Sequence, residues 1–571
     1  MTLKPSVLKT QFPRKWISQK LDCGDWEQIA PLFEQLLARP LLTAGQLEQW
    51  IEDVSELFAA LDQESALRQI NMTCHTDDPE LEKLYVDFVT NIMPKIEPEQ
   101  IKLARYYLAS PARFQLPQER YKVLDRNYVC DVELYREENI DLFVRDELSG
   151  QQYQKISGEM TAMFDGETRT MPQLAKVLEE TDRTRRRAAW EAMIERRLKD
   201  CDAIDELFDE QIRLRHQMAY NAGYDSFIDF RFKQYHRFDY TPDDCLKFHS
   251  AVEQVVMPIY RAMLRRRRED LAVAELAPWD LRVDPKGRPP LRPFNNSEEL
   301  IAGCRKIFGA VDKRFVPEFD ILVKNDLLDL ESRKGKAPGG YQCTLEEARL
   351  PFIFMNAAGR NTDVYTLLHE GGHAFHALAT RTEPLVSYRS APIEFCEVAS
   401  MGMELMASER MDAFYSPENA ARARRERLAE VIEILPWIAR IDAFQMWIYT
   451  HPNHTHKQRC DQWLELEERF GTGVNYPSFP KWKEYTWQAQ LHLFTCALYY
   501  IEYGIAELGA LQLWSRFRKN PEDAVALYYS ALGMGGSKPL PELFEAAGIQ
   551  FAMDKETMEP LIEAVAGELK K

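Results

Sequence analysis

Within residues 362–379, TDVYTLLHEGGHAFHALA, two histidines and a glutamate fall in the order H-E-x-x-H: His369, Glu370 and His373. Val364, Leu367, Leu368, Phe375 and Leu378 form an apolar stripe at helical spacing through the same segment. On a helix, four residues return to within ~40° of the starting direction and about 6 Å further along the axis. Both imidazoles can therefore reach one ion. Glu370, ~100° around the helix from His369, is placed to act on a water molecule rather than to bind the ion. That is the pattern of hydrolysis assisted by zinc. Gly371 and Gly372 in mid-helix cost roughly 1 kcal/mol each relative to alanine, so close approach of another element or of a substrate should offset them. The bland alternative is a buried polar cluster that is merely hydrogen-bonded. Two histidines and a glutamate beside an apolar stripe would then need strong partners.

A zinc ion that does chemistry takes three protein ligands and keeps one position open. The third should come from residues 390–406, SAPIEFCEVASMGMELM, read as a second helix with Ser390 as its cap and Pro392 in its first turn. Glu394, Glu397 and Glu404 are its acids. Glu397 and Glu404 are seven apart and share a face. Glu397 is the preferred ligand, with Glu404 supporting a ligand histidine from behind. Periodicity leaves Glu394 open as the ligand; the preferred reading makes it a solvated or helix-terminal carboxylate. His376 lies three residues past His373, where it cannot aim with both histidines at one ion, and is read as packing behind the site. His451, His454 and His456, in THPNHTH, are read as a surface loop.

The elements that must position these residues are mostly helices. Apolar residues recur every three or four positions over residues 81–108, with breaks near Pro94 and Pro98, and over 171–198, 244–268, 422–449 and 480–517. Residues 277–296 carry five prolines and are expected to be a surface connection. Before the motif, Gly339-Gly340 precedes YQCTL, and a charged turn precedes PFIFM. That is a β-hairpin pattern. Gly339, Gly340 and Tyr341 would line a cleft, where an open strand edge can hold an extended peptide by its backbone.

The runs MNAAGRNTDVYTLLHEGGHAFHAL and FCEVASMGMEL together resemble the thimet oligopeptidase and oligoendopeptidase F family of zinc metallopeptidases, and in particular its oligoendopeptidase F-like branch. The resemblance is specific over residues 339–404 and again over 485–536. Gly372 and His376 fall on the family pattern. So does Glu397, 28 residues beyond His369, and the resemblance selects it as the third ligand. It implies a mostly α fold: a large helical two-part body around a deep substrate channel, with a small β-hairpin or sheet near the zinc. Residues 1–180 would be an N-terminal helical region and 181–571 the catalytic region. It implies one zinc per chain and cleavage of internal bonds in short unstructured peptides. His492, Cys496, Tyr499 and Tyr503 recur at one helical face, and spacing alone favours an ordinary core stripe. The resemblance instead gives His492 and Tyr503, then Tyr499 and Tyr500, a role at the scissile carbonyl. It also sets the LGMGGS loop, with Gly535 and Gly536, over the channel; by itself a glycine-rich stretch is a helix connection.

Composition narrows the rest. The chain has 571 residues and a formal net charge of −18, which disfavours nucleic acid and anionic lipid. The basic runs at 183–187 and 265–268 are read as solvated helix faces. Ten scattered cysteines without a C-x-x-C pair fit a reducing compartment rather than a disulfide framework. The N-terminus has no continuous apolar core of a secretory signal, and no stretch reaches the ~18–20 apolar residues of a membrane span. A cytoplasmic protein acting on short peptides is expected. The alternatives are a carboxypeptidase with the same zinc helix and a non-catalytic peptide-binding protein. Intact Glu370 speaks against the second.

Overall fold

A computed structural model describes residues 11–333, 335–337 and 339–571. The first ten residues, on which the reading of the N-terminus partly rests, lie outside the described residues. The expected fold class holds: the body is helical, with a two-stranded hairpin β1 (Thr161–Phe164) and β2 (Glu167–Thr170) and one three-stranded sheet. Among the described residues no helix is long and apolar enough to cross a membrane.

Two hydrophobic cores organise the chain. The smaller is built from residues 17–124, around Phe33, Trp50, Leu57 and Tyr107, and also takes in Leu385 and Tyr388 from far along the sequence. The larger contains the motif segment and most buried hydrophobic residues after 130. One helix, Ala44–Cys74, joins them: Leu47 to Leu61 lie in the smaller core, and Ala66 to Cys74 in the larger. At 1.5 Å per residue it spans roughly 46 Å. It starts at a capping box, in which Thr43 accepts from the Gln46 backbone N–H and Gln46 returns the contact.

The sheet that borders the site has β3 (Leu328–Glu331), β4 (Tyr341–Leu345) and β5 (Leu350–Ala357) in the order β3-β5-β4. β4 and β5 form the expected hairpin, with Tyr341 opposite Phe354 and Leu345 opposite Leu350. β5 is the central strand and is buried from Leu350 to Met355. β4 therefore has one unpaired edge.

Several expectations about elements change. The 171–198 segment is two helices, Met171–Val177 and Arg183–Leu198, because the Asp182 side chain accepts from the N–H groups of Thr184 and Arg185 and starts a new one. Pro98 lies inside the helix Met93–Ala109 without ending it. The proline-rich connection is surface only in part: Arg282, Lys286, Gly287 and Pro289 are exposed, but Ala277 to Asp280 are buried. The 183–187 run is a solvated face as expected at Arg183, Thr184 and Arg187, but Arg186 is buried. Arg183 and Arg186 both donate to the Asp280 carboxylate, and Arg186 also donates to the carbonyls of Trp279, Glu180 and Thr181.

Residues 480–517 depart most from the periodic reading. A 3-10 stretch, Pro480–Ala489, and a single turn, His492–Thr495, precede the helix Ile501–Lys519. Side chains take over the backbone partners that a continuous helix would use. Arg215 donates to the carbonyls of Leu493 and Phe494, Arg231 to Ala497 and Arg237 to Leu498. The N–H of Leu498, which has φ of 61°, donates to the Gln445 side chain.

Candidate metal centre

The motif helix spans Asn361–Ala379. Asp363 fixes its start by accepting from the backbone N–H groups of Ala358 and Arg360. Val364, Leu367, Leu368 and Phe375 are fully buried and hold its apolar face. The second helix, Ile393–Ser408, begins after Pro392 in extended conformation. Ser390 is therefore not its cap; its hydroxyl faces the Ala391 carbonyl and the Cys396 thiol. The mid-helix glycines have the expected cause. A Cβ on Gly372 would stand 2.5 Å from the Ala399 carbonyl oxygen and 2.6 Å from the Ser400 Cα. A Cβ on Gly371 would strike the Phe308 ring at 2.5 Å. The two helices can meet backbone to backbone only because no side chain intervenes.

That approach brings the acids onto the histidines. His369 Nε2 lies 3.4 Å from Glu397 Oε2, and His373 Nε2 3.6 Å from the same atom. One donor atom from each of the three lies within 4.8 Å of the others. The Nδ1–H of His369 donates to Glu404 at 2.7 Å, which leaves Nε2 facing the centre. Arg427 reaches the other Glu404 oxygen at 3.2 Å. Two imidazoles and one carboxylate, with a carboxylate bracing one imidazole, form a donor set that fits a divalent ion of zinc's preferences.

The electrostatics agree with that fit. Burial opposes ionisation of Glu397, but His373, His369 and the Tyr499 hydroxyl outweigh it and hold the carboxyl at about 2. Burial lowers His373 to about 4 and keeps it neutral. His369 is driven the other way: burial resists, but Glu397 and Glu404 raise it well above the usual imidazole range. A carboxylate and a neutral imidazole are ligand-ready states, and the charge wanted beside His369 is positive. Glu370 is pushed up to about 7 by burial, with Glu397 and Glu404 adding to it.

His376 has no lone pair to offer. Its Nδ1–H donates to the Leu532 carbonyl, and its Nε2 accepts from the Ala391 N–H. Glu394 is not solvated: it is buried, accepts from the Tyr240 hydroxyl at 2.8 Å, and lies 3.7 Å from Arg237. Among the described residues His369, His373 and Glu397 form the only such group of three, so His451, His454 and His456 do not make a second one.

A cavity of about 620 Å³ opens onto the centre. Its walls include Asp62, Ser65 and Gln69 of the long N-terminal helix, Gly340 to Thr344 at the β4 edge, His369, Glu370 and His373, and Tyr499 and Tyr503. Gly340 and Tyr341 are thus brought to the cavity, and the Tyr341 hydroxyl is tied back to Thr73. Gly339 is not on the wall; its carbonyl accepts from Asn356. Gly535 and Gly536 are not on the wall either. They are buried against the segment 387–390, where a Cβ on Gly535 would stand 1.9 Å from the Tyr388 carbonyl oxygen. They back the strip that carries Arg389 and Ser390 into the cavity rather than covering it.

The predicted histidine and tyrosines meet without sharing a helix. His492 packs on the rings of Tyr499, Tyr500 and Tyr503. Tyr499 donates to Glu397 Oε1 at 2.7 Å. His492 Nε2 is 3.2 Å from the Tyr503 hydroxyl. Tyr500 is buried and does not line this cavity; its hydroxyl meets the side chains of Trp437 and Gln490 instead. Sequence reasoning missed Arg427 and Glu507, which lie behind Glu404, and Trp437 and Gln490, which lie behind His492. None carries a spacing signal, since each reaches the site from another helix or an irregular turn.

Comparison with known proteins agrees with this architecture. The pattern described as Peptidase family M3 matches residues 176–564, and that of a Peptidase M3 N-terminal domain matches 20–135. Oligopeptidase PepF of Bacillus subtilis is 25% identical over 237 residues, 40% of this chain and 34% of that protein. An oligoendopeptidase F homolog of Borreliella burgdorferi is 23% identical over 266 residues, 44% of this chain and 43% of that protein. The chain thus aligns with less than half the length of these curated relatives. A solved structure of Pz peptidase A with an inhibitor superposes with a TM-score of 0.92 at 26% identity, covering 96% of this chain and 98% of that one. One described as an oligoendopeptidase F from Bacillus anthracis gives a TM-score of 0.88 at 25% identity, covering 97% of each.

Proposed function

The chain belongs to peptidase family M3, and from that premise we propose that it is a zinc-dependent oligoendopeptidase that hydrolyses internal bonds of short peptides. The observation that carries the reading is the convergence of His369, His373 and Glu397 next to Glu370 on a cavity wall. His369, His373 and Glu397 would hold one zinc per chain. When bound, zinc supplies Lewis acidity, making a water molecule more acidic and polarising a carbonyl.

The protein's own groups do the rest. The free edge of β4 takes an extended peptide by backbone hydrogen bonds, and so lays it across the motif helix. Glu370 accepts a proton from the attacking water and passes it to the leaving amine nitrogen. Its raised proton affinity suits a group that must hold that proton between the two steps. Tyr503 donates to the carbonyl oxygen as negative charge develops there, with His492 behind it. Tyr499, already donating to Glu397, steadies the ligand instead. Residues 1–180 supply one wall through the Ala44–Cys74 helix, and 181–571 supply the chemistry. Only a short, unfolded chain fits a cavity of this size. An acidic chain without disulfides suits a reducing cytoplasm.

Product mapping separates this reading from a carboxypeptidase. An oligopeptide acetylated at one end and amidated at the other is expected to be cut internally, giving two fragments by mass spectrometry. Release of single residues from a free C-terminus, with the blocked peptide untouched, would favour the exopeptidase.

A further inference from the structure

Behind Tyr503 lies a chain of hydrogen bonds whose direction is fixed at its far end. The indole N–H of Trp437 is 3.0 Å from Gln490 Oε1. An indole N–H only donates, so this contact settles which end of the Gln490 amide is oxygen. Gln490 Nε2 then donates to His492 Nδ1 at 2.7 Å. His492 must accept on Nδ1, and a neutral ring carries its hydrogen on Nε2. That Nε2 is 3.2 Å from the Tyr503 oxygen. Tyr503 therefore receives a hydrogen bond on its oxygen, and its own hydrogen is left to point elsewhere. Tyr503 lines the cavity, and among the described residues no other group is bonded to its hydroxyl.

We infer that Gln490, locked by Trp437, is a positioning residue that sets the tautomer of His492 and thereby presents the Tyr503 hydroxyl hydrogen to the substrate carbonyl. The inference rests on the proposed part of Tyr503 in the reaction. Without the lock the chain can run backwards: Tyr503 donates to His492 Nε2, His492 donates from Nδ1, and the cavity loses its donor. Burial keeps His492 neutral, so one ring hydrogen must choose between the two nitrogens. Gln490 does not line the cavity and reaches it only through its contact to His492.

Gln490→Glu tests the direction. A carboxylate still accepts from Trp437 but also accepts from His492 Nδ1–H, reversing the two bonds beyond it with almost no change of shape. Zinc-loaded protein labelled with nitrogen-15 histidine reads the tautomer, with the His492 signals assigned by their loss in His492→Gln. In the parent, Nε2 should carry the hydrogen and Nδ1 should not; in Gln490→Glu the two should exchange. Turnover of a quenched peptide should fall on the order of 10²- to 10³-fold in kcat, with KM nearly unchanged, as for loss of one oxyanion donor. Trp437→Phe should give a mixture of tautomers and a smaller loss. Added to Tyr503→Phe, Gln490→Glu should cost nothing more. A parent His492 protonated on Nδ1, or unchanged kcat in Gln490→Glu where Tyr503→Phe is impaired, would overturn the inference. Full turnover in Tyr503→Phe would instead sink the role given to Tyr503, whatever the tautomer, and the inference with it.

Discussion

His369 Nδ1 donates to Glu404 across 2.7 Å, and the same carboxylate is held on its other oxygen by Arg427. The bond fixes the ring's tautomer and turns Nε2 toward Glu397. Replacing Glu404 with alanine should therefore leave the three proposed ligand side chains in place and weaken zinc binding about 10- to 100-fold, as is typical for loss of such a bracing group. Competition with a chromogenic chelator measures it. An affinity equal to the parent's would remove Glu404 from the account.

Glu370→Gln keeps the size and loses the base. Zinc content should be unchanged, because Glu370 is outside the donor group, while kcat falls by roughly 10²- to 10⁴-fold. The parent should also lose kcat/KM on acidification, since the protonated carboxyl cannot accept from water. Burial puts the midpoint at about 7, and a cation in the site, which favours the carboxylate, moves it lower. Normal cleavage by the glutamine variant would show the base to be another group.

Gly372→Ala introduces a Cβ with no room against Ala399 and Ser400. The helices must part, at a cost of about 1–3 kcal/mol. Urea unfolding should show that loss, and zinc occupancy at limiting free zinc should drop with it, because Glu397 is on the displaced helix. A fully stable variant with normal zinc content would show that the close approach is dispensable.

Asp280 supplies a test far from the metal. Burial opposes its ionisation, but Arg183, the Ala277 N–H and Arg186 prevail and hold the carboxyl below its usual range. A group depressed in the folded state stabilises fully above its unfolded value of roughly 3.9, and that contribution is lost as pH falls through the folded value. Asp280→Asn leaves Arg186 buried without its partner and should cost about 3–5 kcal/mol near neutral pH. The gap from the parent should narrow below about pH 4. A gap that did not change with acid would assign the loss to packing instead.

The motif helix, its two histidines and the need for a close neighbour at Gly371-Gly372 were legible from spacing, because one helix contains them all. The β4–β5 hairpin was legible from its glycines and alternating strands. Glu397 over Glu394 was not decided by periodicity; both acids are buried, and only the path of the second helix separates them. The role of His492 and the tyrosines came from the family resemblance, since spacing alone favoured a core stripe. That stripe does not form: arginines from distant helices break the helix and a loop brings the rings together. Within the 183–187 run only Arg186 escaped the solvated-face reading, because arginine's long side chain can bury its head in a carboxylate that lies almost a hundred residues away. Trp437, Gln490 and Arg427 had no local signal of any kind.

The most direct test of the central claim pairs metal analysis of the purified chain with cleavage of an end-blocked, internally quenched peptide, with and without a chelator. The expected result is about one zinc per chain, cleavage abolished by chelation, and activity restored by added zinc. Folded protein that takes up no zinc when offered it, or that cleaves equally well after complete metal removal, would contradict the account.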